Sequence, residues 1–429
     1  MTDAHDREQA RPAPDEGARR AVAAVWRIES AKIVATLTRM VGDFGLAEDL
    51  AQEALLDALR QWPIDGVPRN GAAWLTAVAR RKAVDGWRRR ERLDERMAVL
   101  AHDLEREQHA TTDALPWDPD AVDDDVLRLI FISCHPVLSR EAQVALTLRV
   151  VGGLSSEEIA RAFLVPTATV QQRIVRAKKT LAAAHVPFEM PPREQHAERL
   201  GGVLGVLYLI FNEGHAASSG SDWMRPELSA EAIRLTRVLV ALMPRERDPL
   251  SLLALMELTA ARFAARVDAN GDPVLLADQD RRRWDRGRIV RGRDALARAD
   301  ARGTGRGAYG LQAAIAECHA VAASVQETDW DRIVVLYEAL GRIAPSPVVE
   351  LNRAAAVAMA VGPASALQIV DALAASGALA GYHLLPATRA ELLLRLGRRD
   401  EARGEFAVAA ALAGNERERA LLAAKAAES

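Results

Sequence analysis

The chain has 429 residues, of which 49% are hydrophobic and 27% charged, and a formal net charge of −3. That composition supplies several apolar cores and excludes a chain that is disordered throughout or uniformly basic, so any contact with a polyanion must come from a local patch. Two cysteines, Cys134 and Cys318, exclude a disulfide framework.

Cysteine usage favours a reducing compartment. The opening MTDAHDREQARPAPDEGARR has no apolar centre, so no secretory signal is expected. No apolar run reaches the ~18 residues of a membrane helix. A soluble, cytoplasmic protein with no membrane contact is expected, with about two to four domains.

In chain order, residues 1–18 read as a disordered tail. Helical spacing of apolar residues predicts helices over 19–41 and 46–62, parted by Gly42 and Gly45. Pro63, Gly66, Pro68 and Gly71 predict a loop, and 72–97 a long helix. Residues 101–125 hold nine Asp or Glu and one Arg, with Pro116 and Pro119, and read as a flexible acidic linker. Helical patterns resume at 126–138, 140–151, 155–163 and 167–184, and Pro187, Pro191 and Pro192 mark a boundary. From about 194 the chain is Ala- and Leu-rich and helical, except at RVDANGDPVLLADQD (266–280), where Asn-Gly suggests a turn between short extended pieces. No βαβ alternation occurs, so the expected fold is all-α. The expected divisions are 19–98, a linker at 99–125, 126–186, a connecting part at 187–300, and helical repeats at 301–429.

The repeats rest on Ile333, Ala366 and Ala402, which begin comparable helices at 33- and 36-residue spacings. WDRIVVLYEALGRIAP and GRRDEARGEFAVAAALAGN carry features of tetratricopeptide (TPR) helix pairs, whose period is ~34 residues. Stacked pairs of that kind present a concave surface to a partner.

Residues 155–181, SSEEIARAFLVPTATVQQRIVRAKKTL, predict a helix-turn-helix. Ser155 and Glu158 form a capping box, Pro166 separates the helices, and Val170 and Ile174 form a core stripe. Gln171, Gln172, Arg173, Arg176, Lys178 and Lys179 fall elsewhere around the second helix. Amides and guanidinium groups can read base edges, while lysines add phosphate attraction. A second basic block precedes it. Residues 80–92 hold seven Arg or Lys against Asp85 and Glu91. Two basic helical blocks on one tether suggest two contacts with one DNA.

These features resemble the RNA polymerase sigma factors of the extracytoplasmic-function (ECF) group, within the sigma-70 family. FGLAEDLAQEALLDALRQW (44–62) and WLTAVARRKAVDGWRRR (74–90) are similar to the family's second region, and the helix-turn-helix to its fourth. LYLIFNEGHAASSG (207–220), VLLADQDRRRWDR (274–286), YGLQAAIAECHA (309–320), TDWDRIVVLYEAL (328–340), LNRAAAVA (351–358) and GYHLL (381–385) resemble an ECF subgroup with a long C-terminal extension.

The resemblance implies promoter recognition with core RNA polymerase, no enzymatic activity and no cofactor. It implies that Asp49, Gln52 and Glu53, which share a helix face, meet the β′ clamp helices, and that the β flap is a further partner. Arg80, Arg81, Lys82, Trp87, Arg88 and Arg89 would meet −10 DNA. Thr169, Gln171, Gln172, Arg173, Arg176, Lys178 and Lys179 would meet the −35 element. The linker carboxylates, among them Asp123, Asp124 and Asp125, would lie toward the RNA path, and the extension would regulate the sigma core through an intramolecular contact. A helix-turn-helix regulator with a TPR sensor is the competing reading, separated from the first by the polymerase-binding block.

Two tryptophans flank the first basic block. Trp74 and Trp87 lie ~140° apart around a helix, so they cannot form one platform. Trp74 reads as core, and Trp87 as the candidate to replace lost stacking when a base leaves the duplex. Asn212, Glu213 and His215 read as a buried polar turn that packs the extension on the sigma core rather than as a catalytic group. The Cys134-His135 and Cys318-His319 pairs lack zinc-ligand spacing. Asp268, Asn270 and Asp272 resemble the start of a calcium loop, but Pro273 stands at the required glycine.

Overall fold

Helices joined by short turns pair most backbone groups within their own segment, and a chain so rich in Ala and Leu favours that solution. The computed structural model describes residues 14–91, 119–163, 165–215, 224–268, 272–303 and 305–428, with backbone alone at 14–16, 86–91, 119–124, 161 and 193. The helices are α1 (Pro14–Val41), α2 (Phe44–Asp65), α3 (Gly71–Glu91), α4 (Pro119–Ser133), α5 (Arg140–Val150), α6 (Ser156–Phe163), α7 (Thr167–Ala183), α8 (His196–His215), α9 (Pro226–Leu242), α10 (Arg247–Ala260), α11 (Arg286–Asp300), α12 (Ala308–Val321), α13 (Trp330–Ile343), α14 (Pro347–Ala360), α15 (Pro363–Ser376), α16 (Leu384–Arg395), α17 (Arg399–Leu412) and α18 (Glu416–Glu428). The fold is all-α. The one β-bridge among the described residues joins Val267 to Pro273, flanking the Asn270-Gly271 turn, which itself lies outside them. No helix among the described residues is long and apolar enough to cross a membrane.

The chain divides into two compact units, one of residues 1–161 and 165–203, the other of 162–164 and 204–429. In the first, α1, α2 and α3 form a bundle. Ala47, Ala51, Ala54 and Ala58 are fully buried along α2, and their small side chains let the neighbouring helices approach closely. Trp62 is buried, and Trp74 meets its ring edge-on with centroids 5.6 Å apart, the packing role expected of it. Helix α1 also packs on α4.

Two sequence expectations need correction here. Pro63 lies inside α2, which runs on to Asp65 and stops at Gly66, where φ is +87°. A proline near a helix end sacrifices only one hydrogen bond, and the glycine supplies the actual stop. The last part of the expected linker, from Pro119, is helical. Asp125 is fully buried there, receiving Arg128 at 2.6 Å and Arg39 at 3.2 Å. Its carboxylate anchors α4 to α1 instead of lying free; the side chains of Asp123 and Asp124 are outside the described residues.

The boundary between units falls within α8. Its first turns belong to the first unit, where Arg199 donates to the carbonyl of Phe131 at 3.0 Å and His196 packs against the Phe131 ring. In the second unit, α13 to α18 pack each on the next. Leu351, Leu367, Val370, Leu393 and Phe406 belong to one core shared along this row. Asn212 to His215 close α8 as helix, not as a turn.

Candidate nucleic-acid interface

Helix α6 begins as its sequence requires. The Ser155 N–H donates to the Glu158 carboxylate at 2.7 Å, and the Glu158 N–H donates to the Ser155 hydroxyl at 3.1 Å. This reciprocal cap satisfies two otherwise free donors and fixes where the helix-turn-helix starts. Pro166 caps α7 with extended backbone angles.

Around α7, Val170, Ile174, Ala177 and Leu181 are buried. Ala168, Gln171, Gln172, Val175, Arg176 and Lys179 are exposed. Their spacings of three, four and seven residues put them on one continuous stripe. That stripe carries two amides, a guanidinium, an ammonium and apolar contact area, the groups that read base edges and phosphates in a major groove. Thr169 and Arg173 flank it, partly buried. The Glu141 carboxyl is held below its usual value mainly by its own N–H and the Ser139 hydroxyl, with Arg173 adding to the effect.

Lys178 does not share that stripe. It is half-buried against α2, bonded to Glu48 and, at 2.8 Å, to Asp49. Burial acts to lower its pKa, but the two carboxylates outweigh this and raise it. Two residues expected to meet different partners, Asp49 and Lys178, therefore meet each other. Glu48, which the sequence reading passed over, is the centre of this junction. It is buried and also accepts from Arg149 at 3.3 Å. A carboxylate beside the alanine seam of α2 was the only available signal, because its two cations lie about 100 and 130 residues away. A further ion pair joins Arg27 to Glu158 at 3.1 Å. Gly153, with φ at +70°, lies where any Cβ would be 2.6 Å from the Ser30 hydroxyl, so α1 and the turn before α6 pack on bare backbone.

The first basic block is only partly free. Lys82 is paired with Asp57 at 3.0 Å and Glu53 at 3.2 Å; the Asp57 hydrogen bond is the largest cause of its raised pKa. Arg80 is partly buried, with Nε lacking a partner among the described residues, as does Nε2 of Gln52. Arg81 is exposed. The side chains of Trp87, Arg88 and Arg89 lie outside the described residues. The block thus divides, with Lys82 tying α3 to α2 and Arg81 facing solvent.

The remaining candidates have other occupations. The Cys134 thiol lies 3.4 Å from the Thr147 hydroxyl, and burial pushes its pKa up to about 11. His135 accepts from the Val137 N–H. Glu213 pairs with Arg225, and the His215 ring is stacked between Phe211 and Phe263.

Comparison with known proteins follows this division of the chain. Residues 28–93 match the model for sigma-70 region 2, 128–181 that for sigma-70 region 4, and 199–300 a family of unknown function, DUF6596. An uncharacterized protein of Rhizobium meliloti is 45% identical over 389 residues, covering 90% of each chain. The RNA polymerase sigma-H factor of Pseudomonas aeruginosa is 32% identical over 162 residues, 37% of this chain and 82% of that one. A probable ECF RNA polymerase sigma factor, SigI, of Mycobacterium tuberculosis is 29% identical over 175 residues, 40% of this chain and 58% of that one. No solved structure matches.

Proposed function

We propose, from the premise that this chain belongs to the sigma-70 family of RNA polymerase sigma factors, that its α7 stripe reads the −35 element and its α3 block the −10 element of a promoter. The single observation that carries this is the exposed Gln171–Gln172–Arg176–Lys179 stripe on a capped helix-turn-helix, presented opposite a fully apolar stripe. In vitro transcription with core polymerase tests it. Specific initiation by the purified chain is expected, and Arg176→Ala should lower occupancy of the −35 element about 10-fold, in line with ~1–3 kcal/mol for a base-reading side chain. Equal binding by the variant across all promoter fragments would refute the assignment. Failure of the purified chain to initiate on any promoter fragment would instead favour the competing reading of a helix-turn-helix regulator with a TPR sensor.

The Glu48 junction supports a second part of the reading, that this arrangement is a closed form. Helices α3 and α7 each pack on α2. At about 8–10 Å per helix contact they lie within ~20 Å of each other, whereas elements centred at −10 and −35 lie ~85 Å apart on duplex DNA at 3.4 Å per base pair. The junction of Glu48 and Asp49 with Arg149 and Lys178 must therefore part before both elements are read. Parting would free Asp49, with Gln52 and Glu53, for the clamp helices.

The extension is proposed to be required for activity and to regulate the sigma core, with its helical row as a TPR-like surface for a partner. Truncation after Val203 is the suitable test, because residues 196–203 complete the packing around Phe131. Loss of promoter-dependent initiation is expected while the first unit stays folded by circular dichroism. Full transcription by the truncated protein would show that the extension is dispensable.

A further inference from the structure

One stretch of the second unit is heavily enriched in arginine. Residues 281–306 hold ten arginines, no lysine and three aspartates, in a chain whose net charge is −3. Most of this stretch is α11. Its buried side includes Ile289, Gly292, Leu296 and Ala299. A Cβ at Gly292 would lie 2.6 Å from the Leu258 side chain of α10, and that close approach fixes which side of α11 faces out. Arg286, Arg291, Arg293 and Arg298 are exposed on the outward side, with Val290 between them. At 100° per residue, Arg286 and Arg293 line one edge of that face, and Arg291 and Arg298 the other.

The second edge is built around a single carboxylate. Glu257 of α10 is 1% exposed and meets three guanidinium groups, those of Arg237 on α9, of Arg288 at 3.0 Å and of Arg291 at 3.5 Å. A buried carboxylate requires compensation, but here the cations exceed it. Asp285, 3.6 Å from Arg288, still leaves them in surplus. The side chains of Arg237 and Arg291 are 48% and 51% exposed, so this surplus lies at the surface. Arg291 engages Glu257 through Nε alone. Two turns on, Arg298 meets Asp294 at 3.5 Å. Arg302 donates to the carbonyls of Pro244 and Arg298, at 2.9 and 2.6 Å, and to no carboxylate among the described residues. On the first edge, Arg293 meets Glu317 at 3.0 Å, again through Nε alone. Arg286 makes no hydrogen bond or ion pair among the described residues. The terminal nitrogens of Arg286, Arg291 and Arg293 are therefore open donors.

We propose that the outward face of α11, together with Arg237, docks the phosphate backbone of duplex DNA without reading its sequence. Charge complementarity carries this choice. A guanidinium fork fits a phosphate in two-point contact. From Arg286 to Arg302 the row runs ~24 Å at 1.5 Å per residue, and duplex DNA presents one charge per ~1.7 Å of its axis, so successive arginines meet successive phosphates. Between the arginines stand Val290, Asp294 and Ala297, with no amide to pair with a base edge, so the contact positions DNA and adds no base preference. The extension is covalently joined to regions of a sigma-70 family chain, which keeps it near promoter DNA at high effective concentration. The inference rests on that membership alone and not on which helix reads the −10 or −35 element.

The test is the salt dependence of binding by the full chain to a fluorescent duplex of random sequence, followed by anisotropy. In Arg291→Gln/Arg298→Gln, the plot of log affinity against log salt is expected to be shallower by about two units, one for each lost phosphate contact. Arg237 and Arg288 still compensate Glu257 in this variant, and an unchanged unfolding midpoint checks the fold. Arg399→Gln/Arg403→Gln removes the same charge from the exposed side of α17 and should leave the slope unaltered. Repeating the pair in an Arg176→Ala background separates this contact from the α7 stripe, because the shift should persist there. An unchanged slope in the folded α11 variant, or an equal shift in the α17 variant, would overturn the proposal. So would weakened binding to core RNA polymerase with DNA binding intact, which would assign the face to an acidic protein surface.

Discussion

Glu48→Gln is expected to destabilise the first unit by about 2–4 kcal/mol and to open it. The substitution keeps the shape of the side chain and removes the charge that Arg149 and Lys178 share at the α2 surface. Removing one partner from a buried ion pair costs more than the pair contributes, because the other charge is left without compensation. Lys178 would retain Asp49, whose exposed carboxylate is screened by water and holds it weakly. Small-angle scattering should show a larger radius of gyration for the variant. Promoter binding by the free chain should increase, with a salt dependence about one unit steeper as Lys178 becomes available to phosphate. An unchanged radius and unchanged salt slope would show that the junction merely packs the unit and does not hold it closed.

Gly214→Ala is expected to destabilise the second unit by about 3 kcal/mol. A Cβ at this position would lie 2.4 Å from the Ser229 nitrogen and 2.8 Å from the Arg225 carbonyl oxygen, both backbone atoms that cannot rotate away. The end of α8 and the start of α9 would have to separate. That strains the Arg225 N–H to Gly214 carbonyl bond of 2.9 Å and the Ser229 hydroxyl to Phe211 carbonyl bond of 3.1 Å. Overpacking against fixed backbone and two weakened bonds together account for the magnitude. Hydrogen exchange across residues 204–242 reads the local loss directly. Gly201→Ala is the control. Nothing lies within 4 Å of its added Cβ, so it should be neutral or stabilise α8 by up to about 1 kcal/mol. Similar behaviour of the two variants would mean that the close approach at Gly214 is not a constraint.

The sequence by itself determined the helical class, the capping box at Ser155 and Glu158, the α7 core stripe and the amide-and-arginine character of its outer face. Each of these depends on residues a few positions apart, where helical geometry alone dictates which side chains share a face. The resemblance to the ECF sigma factors was legible for the same reason, since region 2 and region 4 are contiguous motifs that survive as local patterns. Only the tertiary structure decided which basic residues are available. Lys82 and Lys178 look like their neighbours in sequence, yet each is committed to carboxylates on α2. Asp125 looked like one more acid in a linker and is instead enclosed by Arg39 and Arg128. Arg149 gave no local sign, and Glu48 only its place beside the alanine seam of α2, because the cost of burying a charge is set by which groups long-range packing brings beside it, and that is not encoded in the spacing of neighbours.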